Sequence, residues 1–311
     1  MSWSKDNIFF MQKALALAEK ARGITSPDPM VGAVVVKNGV IVGQGFHAEP
    51  YSVHAEAMAI KEAGEKAFGG DIYVTLEPCL FFEGKKNPPC TNIIIKSGIK
   101  RVFAAMQDPN PEVNGKGFAE IRSAGIDLHI GLLEKEAKVI NEVFIKYIQT
   151  KIPFVILKTA MSLDGKIATK TGDSFWITSD PAREEVHRIR NNVDSILVGI
   201  GTIKKDDPTL NVREISGSIR NPKKIIIDPK LTISADRKVL AFEPEKTIIV
   251  CSKEYASTSK SREIQATGAK VLGIETTNNT INMKRLSKLL GEMGITSILI
   301  EGGGNTNAQA L

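Results

Sequence analysis

The chain contains few cysteines, few histidines and few aromatic residues, and these scarcities narrow the kind of protein it can be. Three cysteines in 311 residues do not make a disulfide framework, so we expect a reducing, cytoplasmic environment. No apolar run is long enough to span a membrane, and the first residues lack the features of a signal peptide. Aromatic residues make up 6% of the chain and no Lys/Arg cluster is interleaved with them. We therefore predict no nucleic-acid or membrane partner, and a small anionic substrate explains the net charge of +6 equally well.

Two cysteines and one of the few histidines form a motif with a glutamate. His54 is followed by Glu56 two residues later, and Cys79 and Cys90 come further on, a pattern typical of zinc deaminases. One imidazole and two thiolates make a three-ligand zinc set, whose fourth position stays open for water as in catalytic sites. Glu56 is too close to His54 in sequence to be the fourth ligand, and it is well placed to move protons to a leaving amine. The sequence therefore predicts His54, Cys79 and Cys90 as Zn²⁺ ligands and Glu56 as the catalytic residue.

A structural zinc site is the main alternative. It would need a fourth protein ligand, and His47 is the one histidine near enough in sequence to supply it. The predicted secondary structure supports the metal motif as a whole. A helix is predicted over 54–66, with the histidine and the glutamate of the motif in its first turn, and a buried strand over 71–76 leads into the first cysteine. Cys90 precedes a second predicted helix, and helix N-termini stabilise thiolates.

The length and the pattern of elements predict two α/β domains, 1–150 and 151–311. The first begins with a helix that Asp6 caps, followed by a hairpin at Asn38-Gly39, and an initial hairpin followed by strand–helix repeats predicts a three-layer sandwich. A polar loop is expected over 257–261. The predicted helices are 7–22, 54–66, 91–97, 117–124, 133–147, 180–191 and 282–293. The predicted strands are 31–37, 40–44, 71–76, 101–106, 126–130, 154–160, 195–198, 224–227, 247–250, 270–272 and 297–300.

Several stretches of the second half have patterns that occur in ligand-binding loops. The glycine turn 302–304 follows a predicted strand, and it is either a diphosphate-binding turn or a tight surface turn. Polar residues at 162–166 and 202–213 come at strand ends, where α/β sheets bind ligands, although solvated loops have the same composition. Residues 199–204 hold half of a dinucleotide fingerprint. Its last position is Lys204 and no strand–turn–helix unit is predicted there, so we reject a Rossmann-type site.

Motifs in both halves resemble the bifunctional deaminase–reductase family of riboflavin biosynthesis. Ten residues separate Cys79 from Cys90, whereas the related tRNA adenosine deaminases have two residues between their cysteines. In the first half the resemblance rests on residues 29–36, 54–56, 75–79, 88–90, 108–111 and 115–117. In the second half it rests on residues 157–158, 162–168, 176–179, 196–202, 206–210 and 301–303.

This resemblance implies a cytidine-deaminase-like three-layer α/β/α domain followed by a dihydrofolate-reductase-like α/β domain, with Zn²⁺ and NADPH as cofactors. It implies deamination of a phosphorylated pyrimidine, 2,5-diamino-6-(phosphoribosylamino)pyrimidinone, and then reduction of the ribosyl group to ribityl. We also expect a homo-oligomer. The substrate-binding residues that it implies for the reductase are Lys158, Ser174, Thr178, Arg190, Leu210, Arg213 and Glu301. The cofactor-binding residues that it implies are Ser162, Asp164, Trp176, Thr202, Asp206, Gly302, Gly303 and Gly304.

The chain departs from the family's pattern at three places. Leu80-Phe81 stand where the family commonly has Ser-His, and Asp28 stands where many members have Asn. We expect Asp28 to weaken the binding of an anionic substrate by repulsion. The chain reaches Leu311, where family members usually continue for several strands, so we expect an incomplete reductase sheet. The alternative is a nucleic-acid or free-base deaminase with a non-catalytic nucleotide-binding second domain, and the long cysteine loop and the reductase motifs disfavour it.

Overall fold

The computed structural model describes residues 3–81, 87–174, 176–278 and 280–310. The chain divides into two units, Met1–Thr150 and Lys151–Leu311. The long loop between the two zinc cysteines includes residues 82–86, which lie outside the described residues. Residue 311, on which the expectation of an incomplete reductase sheet depends, lies outside them too. Within those four described ranges, no helix combines the length and the apolar character needed to cross a membrane.

The N-terminal unit is built on a five-stranded sheet with the order β2-β1-β3-β4-β5. Its strands are β1 (Gly32–Lys37), β2 (Val40–Phe46), β3 (Asp71–Val74), β4 (Arg101–Ala104) and β5 (Asp127–Ile130). β1 pairs antiparallel with β2 and β3, whereas β3, β4 and β5 run parallel. The predicted hairpin is confirmed, because Asn38 and Gly39 join β1 to β2 with φ angles of 51° and 75°. Two positive φ angles are what a type I′ turn requires.

The first helix of this unit begins earlier than predicted. Its N-cap is Ser4, whose Oγ accepts a hydrogen bond from the backbone N–H of Asn7 at 3.1 Å. The predicted cap, Asp6, instead lies in the first turn. The helices of the unit are α1 (Lys5–Glu19), α2 (Ala55–Ala63), α3 (Cys90–Lys96), α4 (Lys116–Ser123), α5 (Glu134–Ile140) and α6 (Glu142–Thr150), with a 3-10 turn at Gly64–Ala67 after α2.

The single helix predicted over 133–147 is wrong, because Asn141 divides it into α5 and α6. The side-chain amide of Asn141 holds the backbone of Met30. Its Nδ2 donates to the Met30 carbonyl at 2.9 Å, and the Met30 N–H donates to its Oδ1 at 2.9 Å. Asn141 is 1% exposed, so its polar atoms need these partners. The helical break therefore places a buried amide where it satisfies a distant loop.

Helices α1 and α2 cover opposite faces of the sheet. A Cβ on Gly32 would lie 2.0 Å from the carbonyl oxygen of Ala14 in α1, and a Cβ on Gly45 would lie 2.4 Å from that of Ala55 in α2. Gly45 pairs with Ala33, which follows Gly32, and successive strand residues face opposite sides. This arrangement confirms the predicted three-layer α/β/α architecture. The missing side chain of Gly45 lets the first turn of α2 lie directly on the sheet.

The C-terminal unit is built on a six-stranded sheet with the order β10-β9-β8-β7-β13-β6. Its strands are β6 (Phe154–Leu157), β7 (Ser195–Gly199), β8 (Lys223–Ile227), β9 (Thr247–Ser252), β10 (Lys270–Ile274) and β13 (Ser297–Ile300), with a separate pair β11 (Thr276–Thr277) and β12 (Thr280–Ile281). All neighbours in the large sheet are parallel. Ile196 and Val198 of β7 pack in one core cluster and Leu197 packs in another. The sheet is therefore buried on both faces, as parallel sheets are.

The helices of the C-terminal unit correct two predictions. They are α7 (Asp180–Asn192), α8 (Ile200–Asp206), α9 (Lys238–Ala241), α10 (Ser259–Ala266), α11 (Met283–Glu292) and α12 (Gly304–Ala310), with a 3-10 turn at Pro244–Lys246. The polar segment 257–261 is not a loop throughout, because Thr258 caps α10 by accepting from the Ser261 N–H at 3.3 Å. β7 leads directly into α8 with Gly199 as N-cap. A strand–helix unit is thus present where none was predicted.

Candidate active sites

The three predicted zinc ligands converge in the N-terminal unit. His54 Nδ1 lies 3.3 Å from Cys79 Sγ and 3.2 Å from Cys90 Sγ. The three ligand atoms all lie within 4.8 Å of one another. A tetrahedral zinc ion with bonds of about 2.0 Å to nitrogen and 2.3 Å to sulfur holds these ligand atoms about 3.5 Å apart. The donor chemistry and the spacing therefore fit a zinc ion.

The ends of secondary-structure elements bring these ligands together. His54 is the N-cap of α2, whereas it was predicted to lie in the first turn of that helix. Cys90 is the first residue of α3. Cys79 lies beyond the end of β3, and its carbonyl accepts a hydrogen bond from the Thr91 N–H at 3.2 Å. Cys90 is fully buried. Backbone N–H groups at the start of α3 favour the thiolate form that metal binding requires.

Glu56 lies in the first turn of α2 and is 3% exposed. Its burial, and then the negative charge of Cys79, raise the pKa of this carboxyl above its ordinary value, while His54 acts in the opposite direction. A carboxylate with a raised pKa holds a transferred proton more readily. Glu56 thus has the position and the basicity of a group that shuttles protons beside the metal-ligand set.

His47, the candidate fourth ligand of a structural zinc site, is engaged elsewhere. Its Nε2 lies 3.1 Å from Asp28 Oδ2, and its Nδ1 lies 3.4 Å from Ser52 Oγ. The His47 ring is edge-on to the His54 ring, with centroids 5.3 Å apart, and it does not belong to the ligand cluster. Among the residues that the structure describes, no fourth protein ligand joins the set, and this leaves a position for water. The Asp28 carboxylate, which was expected to repel an anionic substrate, is paired with a histidine.

Sequence patterns did not identify Glu77, two residues before Cys79, as part of this site. Its Oε2 accepts hydrogen bonds from the N–H groups of Asp108 at 3.1 Å and Gly115 at 2.9 Å, and its Oε1 accepts one from Phe118 at 3.2 Å. Glu77 is 2% exposed. It ties the loop after β4 and the start of α4 to the segment that carries a zinc ligand. A charged residue at the end of a buried strand was the only signal in the sequence.

In the C-terminal unit, the carboxyl ends of two neighbouring strands, β6 and β13, place charged residues at one edge of the sheet. Lys158 follows β6 and Glu301 follows β13, with their Nζ and Oε2 atoms 3.8 Å apart. Arg190 of α7 donates to Glu301 through Nε at 2.6 Å and through Nη2 at 2.9 Å. The Glu301 side chain is 6% exposed. Ligands of open α/β sheets bind at this edge, so the three predicted residues lie where a substrate would bind.

The loop that follows α8 lies beside this cluster. The Arg190 Nη1 donates to the Asn211 carbonyl at 3.0 Å, so each of the three guanidinium nitrogens donates one hydrogen bond. Arg213 is exposed and forms weaker contacts, at 3.1 Å to Glu214 and 3.4 Å to Asn211. The Leu210 side chain packs in the core and its φ is 54°. Of the residues predicted to bind substrate, Leu210 could therefore contribute only its backbone.

Five of the eight residues predicted to bind the cofactor lie in two segments that meet: Ser162 and Asp164 in one, and Gly302–Gly304 in the other. Ser162 Oγ donates to Asp164 Oδ1 at 2.5 Å, which closes a short turn. Ile167 in the same segment lies 3.4 Å from where a Cβ on Gly304 would be, so this segment packs beside the glycine turn. A Cβ on Gly303 would meet no described atom within 4 Å. This open backbone fits a cofactor that lies against the turn.

Trp176 is another residue predicted to bind the cofactor. It is 66% exposed, and the Arg183 guanidinium lies 4.2 Å from the centroid of its ring. Arg183 Nη1 also donates to the Thr178 carbonyl at 2.9 Å. The other predicted residues of this region have half-buried or exposed side chains: Ser174, Thr202 and Asp206. Their contacts with a ligand remain predictions.

Comparison with known proteins gives the same division into two sites. Residues 4–106 match the cytidine and deoxycytidylate deaminase zinc-binding region, and residues 153–311 match the RibD C-terminal domain. Riboflavin biosynthesis protein RibD of Aquifex aeolicus is 45% identical over 297 residues, which cover 96% of this chain and 81% of that protein. RibD of Bacillus amyloliquefaciens is 44% identical over 299 residues, which cover 96% and 79%.

Solved structures agree over the whole chain. Acinetobacter baumannii RibD superposes with a TM-score of 0.87 and 35% identity, covering 97% of this chain and 82% of that one. A diaminohydroxyphosphoribosylaminopyrimidine deaminase/5-amino-6-(5-phosphoribosylamino)uracil reductase from Thermotoga maritima superposes with a TM-score of 0.85 and 39% identity, covering 97% and 82%.

Fold, sites and relatives define a bifunctional enzyme that joins a zinc-binding deaminase domain to a reductase domain with a nicotinamide cofactor. The chain belongs to the RibD family of riboflavin biosynthesis proteins. The resemblance on which the sequence predictions depended is thereby confirmed. The alternative, a deaminase with a non-catalytic second domain, is not favoured, because the RibD C-terminal domain spans that half of the chain.

Proposed function

We propose that this enzyme deaminates the pyrimidine ring of 2,5-diamino-6-(phosphoribosylamino)pyrimidinone and then reduces the ribosyl group to a ribityl chain with NADPH. The Thermotoga maritima relative is described by both activities, as deaminase and as reductase. The observation that carries the proposal is the cluster of His54, Cys79 and Cys90 beside a buried glutamate. The cluster of Lys158 and Glu301 at the sheet edge supports the second step.

In the deaminase site, His54, Cys79 and Cys90 would hold a zinc ion, which when bound lowers the pKa of a coordinated water toward neutrality. Glu56 takes a proton from the attacking water and delivers it to the amino group of the ring. The ring carbon gains an oxygen, the carbon–nitrogen bond breaks, and ammonia leaves. Because Glu56 is buried, its carboxyl exchanges this proton with the reacting groups rather than with bulk water.

Glu56→Gln tests this assignment. Glutamine keeps the shape of the side chain but cannot accept and return a proton, so we expect ammonia release to fall at least ~10²-fold. Zinc content, measured by elemental analysis, should stay at the wild-type level because Glu56 is not a ligand. Glu65→Gln, an exposed position on the 3-10 turn after α2, is the matched control and should be fully active. Wild-type ammonia release by Glu56→Gln would overturn the role.

In the reductase site, we propose that Arg213 binds the phosphate of the substrate. Its guanidinium is exposed, whereas that of Arg190 is held by Glu301 and Asn211 and orders the site. A positively charged edge suits a phosphorylated ligand, and arginine binds phosphate through paired hydrogen bonds. Lys158, Ser174, Thr178 and the Leu210 backbone are the other proposed substrate contacts.

The nicotinamide cofactor supplies the hydride in this second step. We propose that it is NADPH, and that it lies between the turn 302–304 and the segment that contains Ser162 and Asp164, where the backbone is open. Trp176, Thr202 and Asp206 would complete its pocket. Fluorescence titration with NADPH and with NADH measures the preference, and tighter binding of NADH would contradict this choice.

Arg213→Ala should raise the reductase KM for its phosphorylated substrate about tenfold or more, because a hydrogen bond to a charged group is worth about 1.5–3 kcal/mol. Deamination should not change. Arg188→Ala removes another exposed arginine, which lies on α7 and pairs with Glu184, and it should leave both activities unchanged. An unaltered KM in Arg213→Ala would show that the phosphate is bound elsewhere.

We also propose that the enzyme is a cytoplasmic homo-oligomer. A reducing compartment suits the thiolate ligands and the third cysteine, Cys251, which is free and buried. Sedimentation velocity on the purified protein measures the oligomeric state, and a monomer at micromolar concentration would contradict that part of the proposal.

A further inference from the structure

His187 is a buried histidine that none of the functions above uses. It lies on α7, three residues before Arg190, and is 5% exposed. The backbone N–H of Arg213 donates to its Nδ1 at 3.3 Å. One turn along the same helix, Arg190 donates to the carbonyl of Asn211. Helix α7 therefore holds the backbone of residues 209–214, which we name the Arg213 loop, at two points.

The hydrogen bond from Arg213 defines the charge state of His187. A backbone N–H can only donate, so Nδ1 must present its lone pair, and a neutral imidazole then carries its proton on Nε2. The charged groups that act electrostatically on the ring are Arg190 on the same helix, Arg213 and Glu214 in the Arg213 loop, and Glu301 after β13. Burial, and then the two arginines, lower the pKa of His187 below its ordinary value, while the two glutamates oppose this. The ring is therefore neutral at neutral pH.

We propose that His187 is a positioning residue of the reductase: its neutral ring holds the Arg213 loop in place for substrate, and its protonation releases the loop. The proposal rests on the phosphate-binding role proposed for Arg213. A protonated ring has an N–H on both nitrogens, so Nδ1 would face the Arg213 N–H as donor against donor. Protonation would also add a cation beside two arginines. The contact is present at neutral pH and is lost as the pH falls below the ordinary histidine range.

Two substitutions of His187 distinguish the effect of its hydrogen bond to Arg213 from the effect of its protonation. His187→Asn keeps an acceptor, since the asparagine Oδ1 stands close to where Nδ1 lies, but it does not titrate. His187→Leu fills the space without an acceptor. His129→Asn is the matched control, because His129 lies on β5 in the other unit. The KM for the reductase substrate is measured from about pH 8 to pH 5 with saturating NADPH, a range that covers histidine titration.

We expect the wild-type KM to rise about tenfold toward acid pH, relative to His187→Asn, because one buried hydrogen bond is lost. Protonation of the substrate phosphate affects both proteins equally, so their ratio at each pH isolates His187. His187→Leu should have a KM raised about tenfold throughout the range. An equal acid rise in His187→Asn and wild type, or a wild-type KM at pH 8 in His187→Leu, would overturn the proposal. Cofactor binding shows in each case that the domain is folded.

Hydrogen exchange at the Arg213 amide gives a readout that needs no substrate. In the wild type, protection of the Arg213 amide from exchange should fall as the pH is lowered, when it is compared with His187→Asn at the same pH. In His187→Leu this protection should be lost at all pH values. If this protection behaves as expected while Arg213→Ala leaves the KM unchanged, His187 positions the loop and the phosphate role is the part that fails. Protection that is unchanged in His187→Leu would refute the positioning role itself.

Discussion

Replacing Glu77 with glutamine tests how firmly the loop after β4 is tied to the zinc-binding segment. The carboxylate accepts three backbone hydrogen bonds, two at Oε2 and one at Oε1. A glutamine amide that points its oxygen at Asp108 and Gly115 keeps two of them, but its NH₂ group then faces the N–H of Phe118. One buried hydrogen bond to a charged acceptor is lost, which costs about 1.5–3 kcal/mol.

That loss should be measurable as thermal release of zinc. In a unit of this size, 1 kcal/mol changes the midpoint by about 2–4 °C, so Glu77→Gln should release zinc about 3–12 °C below the wild type. A chromogenic chelator follows the release and reports on the N-terminal unit alone. Because Cys79 is two residues away, the deaminase kcat should also fall, while the reductase should be unaffected.

Glu112→Gln is the control for this experiment, since Glu112 is an exposed residue of the same loop, and it should behave as wild type. Zinc release by Glu77→Gln within about 1 °C of the wild type would refute the reasoning. It would mean that the three hydrogen bonds contribute no net stability.

Removal of zinc by a chelator, or Cys79→Ser, should abolish ammonia release and leave NADPH binding intact, because all three ligands belong to the N-terminal unit; loss of NADPH binding in a folded protein would contradict this. Gly45→Ala should destabilise the N-terminal unit by about 1–3 kcal/mol, since overpacking costs of this order are usual in well-packed cores. Urea unfolding measures it, with Gly201→Ala as control because a Cβ there meets no described atom within 4 Å. Equal effects of the two alanines would show that the contact between β2 and α2 is not tight.

The parts of the molecule that sequence patterns predict well are those decided by neighbouring residues. The hairpin depends on two residues with positive φ, and Asn38-Gly39 is a pair that adopts them readily. The zinc set was predictable because the spacing of its histidine, glutamate and two cysteines is typical of zinc deaminases. His54 and Cys90 lie at the starts of two helices, and packing of the sheet brings these ends together. The charged residues at the edge of the reductase sheet were instead implied by the family resemblance, and the pairing of β6 with β13 explains why Lys158 and Glu301 meet.

Three buried polar side chains could not be predicted in this way. Asn141 bonds to a residue 111 positions away, Glu77 to residues 31 to 41 positions away, and His187 to one 26 positions away. Hydrophobic periodicity indicates which face of an element is buried, but not which distant backbone group a polar side chain meets. The helix over 133–147 was predicted as unbroken for that reason, since Asn141 is compatible with a helix until its partner is known.

The order of strands in the C-terminal sheet has a consequence for how the enzyme is made. β6 is the first strand of its unit, yet its hydrogen-bonded neighbour is β13, and Lys158 meets Glu301 only through this pairing. Every residue of the deaminase unit has left the ribosome well before β13 is synthesised. At about 5–20 residues per second, the interval is roughly seven to thirty seconds. During that time β6 lacks the strand with which it pairs, and an unpaired strand edge is open to chaperones or to other chains.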